Sequence, residues 1–247
     1  MEETIHYFRG LGVLMLGGIL LAAGMWRFGI GVESGNSAVL TSAVKTDKKM
    51  AALTFDVCWE TESIEKILDI LEEQDVKSTF FVTGKWVTAC PEEARRILQE
   101  GHELGNHSET HSDLKKKSYV SCLEEIRNTH NTVKTLTGYE MELFRAPYGS
   151  YDKQVLCAAK DSGYVSILWD VDSLDWKNYG ADQVKKQVLE NPDLGNGSIV
   201  VCRCGAEDTI EGLEALIEGF KEQGSHLVSV SQLLDGNAQT LDFESEY

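Results

Sequence analysis

From Met50 onward the chain alternates short apolar runs with amphipathic stretches, and this alternation restricts the fold more than any other feature of the sequence. Met50–Asp56 is an apolar run interrupted by Thr54, the pattern of a buried strand. Ile64, Ile67, Leu68 and Leu71 then share one helical face. Ser78–Thr83 reads as a strand, Pro91 opens a helix as a first-turn proline does, and Glu103–Asn106 is short and extended. A long helix is expected from Tyr119 to Leu136. Its core stripe is Val120, Leu123, Ile126, Val133 and Leu136, and Gly138 stands just past its end. Leu143–Phe144 leads to a helix near Lys153–Asp161, Tyr164–Trp169 to one near Ala181–Leu189, and Ile199–Cys202 to one near Glu207–Lys221. Leu227–Val230 closes the series. About seven strands separated by helices require crossover connections, hence a parallel sheet. A closed barrel and an open doubly wound sheet both satisfy that order.

The ends of the chain read differently. Leu11 to Trp26 carries no charge and is bracketed by Arg9 and Arg27. It is short of the roughly 20 residues a bilayer span takes. Glu2 and Glu3 make the preceding segment poorly basic, and no clean cleavage site follows. Residues 1–28 are therefore expected to be a signal anchor or a signal peptide, the anchor preferred. That puts the protein at the outer face of a cell membrane, or secreted. Residues 29–48 read as a linker, 49–234 as the folded domain and 235–247 as an acidic tail with four acids and no base. The net charge of −17 disfavours nucleic acid and other phosphate-covered partners, and the domain is expected to be a monomer. The six cysteines are irregularly spaced, and most lie inside apolar patterns, so small buried hydrophobes are the expectation for at least four. Cys202 and Cys204 flank Arg203 on one strand and share a face, which is a weak metal signal without a second pair.

Chemistry in parallel α/β folds gathers at the carboxyl ends of the strands. Asp56 ends the first strand. His107 and His111 follow the third, in Asn106-His107-Ser108-Glu109-Thr110-His111. Arg145 ends the fourth, in Phe144-Arg145-Ala146-Pro147-Tyr148. Asp170, Asp172, Asp175 and Trp176 follow the fifth. Each has a duller explanation alone: a helix cap, surface histidines, a structural ion pair, an acidic loop. In this order, and at four strand ends, they outline one site. Two imidazoles four residues apart in a turn can serve one zinc or similar divalent ion as neutral nitrogen ligands.

Thr54-Phe55-Asp56, His107-Ser108-x-x-His111, Arg145-x-Pro147-Tyr148 and Asp172-Ser173-x-Asp175-Trp176 resemble the successive motifs of the NodB-homology polysaccharide deacetylases, carbohydrate esterase family four. The resemblance runs from about Lys49 to Leu234 and is nearest to the sporulation-associated branch. It implies a distorted (β/α)7 barrel that removes N-acetyl groups from peptidoglycan or chitin-like glycan. It further implies a divalent metal on His107 and His111, with zinc first and cobalt or manganese as alternatives. Asp56 would be the general base, steadied by Arg145; Asp175 would orient the catalytic pair, and Tyr148 and Trp176 would meet the glycan. Two positions depart from the family. Val57 stands where an aspartate usually supplies the third metal ligand, leaving water or Glu60 to complete the set. Arg203 stands where a histidine usually protonates the departing amine. Arginine keeps its proton at any working pH, so Arg203 would instead neutralise developing charge or pair with Asp175.

Overall fold

The computed structural model describes residues 38–58 and 62–235. The expected anchor at 1–28, the first part of the linker, Glu60, and all of the acidic tail but Asp235 lie outside the described residues.

The first described strand is β1 (Leu40–Thr41), followed by β2 (Met50–Val57), α1 (Glu62–Glu73), β3 (Thr79–Val82), α2 (Gly84–Ala89), α3 (Pro91–Gln99) and β4 (Glu103–Asn106). Then come α4 (Tyr119–Thr137), β5 (Leu143–Phe144), α5 (Lys153–Asp161), β6 (Val165–Ile167), β7 (Val171–Asp172), α6 (Ala181–Leu189), β8 (Ile199–Arg203), α7 (Glu207–Glu222), β9 (His226–Val228) and α8 (Val230–Asp235). The sheet runs β1-β6-β5-β4-β3-β2-β8-β7 with parallel neighbours, and β9 pairs with the start of β2. Ala52 has partners in both β8 and β9, so β9 occupies the edge of β2 that β3 takes over from Thr54 onward.

The residues joining β6 to β7 hold the two ends of the sheet together. Leu168 donates its N–H to the Thr41 carbonyl at 2.7 Å, and Asp170 donates to the Ile199 carbonyl at 3.2 Å. The sheet is therefore curled into a distorted (β/α) barrel with an irregular seam, not spread as an open doubly wound sheet. Ile64, Ile67, Leu68 and Leu71 of α1 are fully buried in the core, as their spacing predicts.

Two expectations need correction. The chain read as linker up to residue 48 already joins the sheet at Leu40. Val44 is buried and donates its N–H to the Gly197 carbonyl. A two-residue strand is held by backbone bonds and shows no side-chain period, so composition alone concealed it. In α4, Val120 is 62% exposed, not part of the core stripe. The buried face is Cys122, Glu125, Ile126, Thr129 and Val133, with Leu123 and Leu136 partly buried against it. Two polar residues hold inward positions there, which displaced a stripe drawn from apolar residues alone. Gly138 does end the helix in the left-handed conformation, as expected.

Candidate functional site

Asp56, Phe81 and Arg203 sit side by side at one level of the sheet, near the carboxyl ends of β2, β3 and β8. Gly105 pairs with Phe81 from β4, and a Cβ there would come within 2.5 Å of the Phe81 ring. Only glycine lets that ring lie where it does. The guanidinium of Arg145 stacks over the ring, its carbon 3.9 Å from the centroid. Arg145 is fully buried and donates to Asp56 Oδ1 at 2.8 Å, to the Thr54 hydroxyl at 2.8 Å and to the Leu168 carbonyl at 3.0 Å. Burial pushes the Asp56 carboxyl up, but the charge and hydrogen bond of Arg145 outweigh it and hold Asp56 below the usual carboxylate range. A base that is ionised at neutral pH results.

The histidine loop follows β4. Asn106 accepts a hydrogen bond from the Ser108 N–H and donates to the Ile126 carbonyl of α4. The Glu125 carboxylate takes the backbone N–H and the hydroxyl of Thr110. This explains the polar residue on the inner face of α4: it fixes the loop. Ser108 and His111 are held at φ 66° and 54°, in the left-handed region that β-carbon residues rarely occupy. The loop brings the two rings to 4.9 Å between centroids. His107 Nδ1 lies 2.8 Å from the Arg145 carbonyl. A carbonyl can only accept, so Nδ1 carries the proton and Nε2 presents a lone pair. Nε2 is buried, makes no hydrogen bond and lies 3.7 Å from Asp56 Oδ2. Burial lowers the pKa of both rings, His111 down to about 4 with His107 adding to the effect, so both are neutral at physiological pH.

Those features fit a divalent metal. Ring nitrogens of His107 and His111 and the Cys58 thiol lie within 4.8 Å of one another. Fully buried Val57 belongs to the apolar core cluster, which leaves Cys58 as the neighbour of Asp56 on the histidine side. Cys58 was not singled out in the sequence, where it read as one more small hydrophobe. The available signal was its position two residues after Asp56, just past the end of β2. The Cys202–Cys204 pair is not part of this group, and none of the six cysteines forms a disulfide.

Arg203 pairs with Asp175 as the sequence suggested, but its main partner is Asp172. It donates to both Asp172 oxygens, at 2.6 and 2.9 Å, and to Asp175 Oδ1 at 3.0 Å. Asp175 is fully buried and also takes the Arg203 N–H at 2.6 Å and the Thr209 hydroxyl at 2.5 Å. Burial works against the Arg203 charge, yet the two carboxylates push its pKa above the ordinary arginine value. The guanidinium is a fixed cation. Trp169, passed over in the sequence as one aromatic in an acidic string, lies 5.4 Å from the Arg145 guanidinium and 6.0 Å from that of Arg203. Asp170, by contrast, serves β8: it takes the Ile199 N–H and the Ser198 hydroxyl, both at 2.8 Å. Tyr148 and Trp176 are 67% and 56% exposed, and the Tyr148 ring stands 4.5 Å from that of His111. Exposed aromatic faces beside a polar site suit sugar rings.

A barrel that carries a base, two neutral imidazoles and two fixed guanidinium groups at its strand ends has the parts of a hydrolase. The comparisons with known proteins give the class a family. A family model for polysaccharide deacetylase matches residues 43–167. The peptidoglycan-N-acetylmuramic acid deacetylase PdaA of Bacillus subtilis is 34% identical over 197 residues, covering 76% of this chain and 73% of PdaA. The uncharacterized protein YlxY of the same organism is 34% identical over 189 residues, and the chain spans 58% of its length. Among solved structures, a pseudoenzyme of carbohydrate esterase family four from Bacillus anthracis superposes with a TM-score of 0.77 at 33% identity, covering 81% of this chain and 70% of that one. A mutant of that pseudoenzyme, with restored enzymatic activity, superposes equally well. This chain belongs to the NodB-homology polysaccharide deacetylases, carbohydrate esterase family four.

Proposed function

We propose that this protein is a metal-dependent deacetylase that removes N-acetyl groups from peptidoglycan or a similar cell-wall glycan, and that it turns over slowly. The observation that carries this reading is Asp56, ionised by its contact with Arg145 and set 3.7 Å from the free lone pair of His107. His107 and His111 would hold the ion, zinc in the first instance and otherwise cobalt or manganese. When bound, such an ion polarises an amide carbonyl and acidifies water beside it. Asp56 takes the proton from the attacking water, and Arg145 keeps the carboxylate aimed while the proton transfers. Tyr148 and Trp176 receive the sugar rings. Expulsion of the amine requires a proton, which Arg203 cannot give. Solvent must supply it, at a cost of about 10²- to 10⁴-fold against a positioned acid.

The fixed position of Arg203 favours a second reading, a degraded relative that binds glycan or structures the envelope, because Asp172 and Asp175 clamp it where an acid is expected. The two readings separate on Arg203→His. If only the proton donor is missing, this variant raises acetate release by about tenfold or more. Should it do nothing, more than the proton donor is missing and the protein is a degraded deacetylase. An unmodified protein already as fast as Arg203→His would show that Arg203 is no lesion.

The N-terminal segment supports a place at the outer face of the cell membrane. Among the described residues no helix is long and apolar enough to cross a bilayer, and Leu11–Trp26 lies outside them. The full chain should sediment with membranes, whereas a chain beginning just before Leu40, which keeps β1, should be soluble and folded. Full-length protein in the soluble cytoplasmic fraction would refute both anchoring and export.

A further inference from the structure

We infer that Cys58 is a third protein ligand to the metal, so that the site is a Cys–His–His set in which a thiolate takes over the role of the missing carboxylate at Val57. This rests on the metal-dependent reading above and specifies its donor atoms. Three observations support it. The Cys58 thiol and the ring nitrogens of His107 and His111 converge within 4.8 Å. His107 Nε2, on a fully buried side chain, makes no hydrogen bond and carries a lone pair fixed by the Nδ1 contact to the Arg145 carbonyl. Asp56 and Cys58 stand either side of Val57, at the end of β2 and just past it, while Val57 is committed to the apolar core.

The donor set has a consequence for metal choice. Thiolate with imidazole suits zinc and cobalt(II), whereas carboxylate and water suit manganese and magnesium. The protein should therefore prefer zinc and cobalt(II) over manganese. On binding, the S–H bond breaks, its proton passes to solvent, and sulfur donates the electron pair to the ion. The metal carries the compensation, so no oxidant or reductant takes part.

Cobalt(II) provides a readout independent of turnover. The purified full chain, kept reduced and titrated with cobalt(II), should develop visible d–d bands together with a near-ultraviolet sulfur-to-cobalt charge-transfer band. Cys58→Ser should abolish the sulfur band and weaken zinc binding by about tenfold or more, with the histidine-dependent d–d bands retained. Cys58→Ala should behave alike, and circular dichroism of both variants should match the parent. Cys204→Ser should keep the sulfur band. His107→Ala with His111→Ala should lose every band. Cobalt bound through the histidines with no sulfur band in the parent protein would overturn the role of Cys58 and leave the metal-dependent reading intact. A sulfur band that survives Cys58→Ser would also overturn it. No cobalt binding by the parent protein would overturn both.

Discussion

Arg145→Met is expected to lower the stability of the folded protein by about 3–5 kcal/mol, the usual cost of removing one partner from a buried ion pair. Methionine fills much of the same volume beside Phe81 and Trp169, so the loss reports charge more than packing. It strands Asp56 in a site where 8% of the residue meets solvent, and it orphans the Thr54 hydroxyl and Leu168 carbonyl contacts. The sign with pH follows from the depressed pKa of Asp56. That depression adds stability which is present above the ordinary carboxylate value of about 3.9 and is lost as pH falls through the folded value. The gap between parent and Arg145→Met should thus narrow in acid. Urea unfolding of the two proteins at neutral and acid pH checks both points. A loss below about 1 kcal/mol at neutral pH would show that the pair is not the anchor of the site.

Asp56→Asn should reduce acetate release by at least about 10²-fold. Asparagine has the size of aspartate and can still meet Arg145, but it cannot take a proton. The effect should fall on turnover, with metal content little changed, since Asp56 stands beside the ligating atoms and is not one of the three that converge. Stability should change less than in Arg145→Met, because the guanidinium keeps Thr54, Leu168 and the Phe81 ring as partners. Activity indifferent to this substitution would contradict the assignment of the base.

Much of the site was legible because its residue types have few other reasons to stand at strand ends. Asp56, His107, His111 and Arg145 converge as their positions after β2, β4 and β5 suggest, and Arg203 meets Asp175 across the gap between β8 and the turn after β7. What escaped was set by tertiary context. Cys58 looks like a core thiol until the histidine loop is folded against it. Asp172 and Asp170 are equivalent in a string of acids, yet one clamps Arg203 and the other caps the start of β8. Glu125 lies on the inner face of a helix because the histidine loop just before that helix needs its carboxylate, and that choice hid the true stripe and promoted Val120. β1 escaped because backbone bonding to β6 leaves no pattern in two side chains.

An ionised base beside a histidine-held metal should still deacetylate glycan without a side-chain acid. Acetate release from N-acetylglucosamine oligomers and from peptidoglycan, measured with zinc, cobalt or manganese and again after chelation, tests it most directly. Slow release that requires the metal and disappears in Asp56→Asn is the expected result. Release no greater than that of Asp56→Asn under every metal would contradict it.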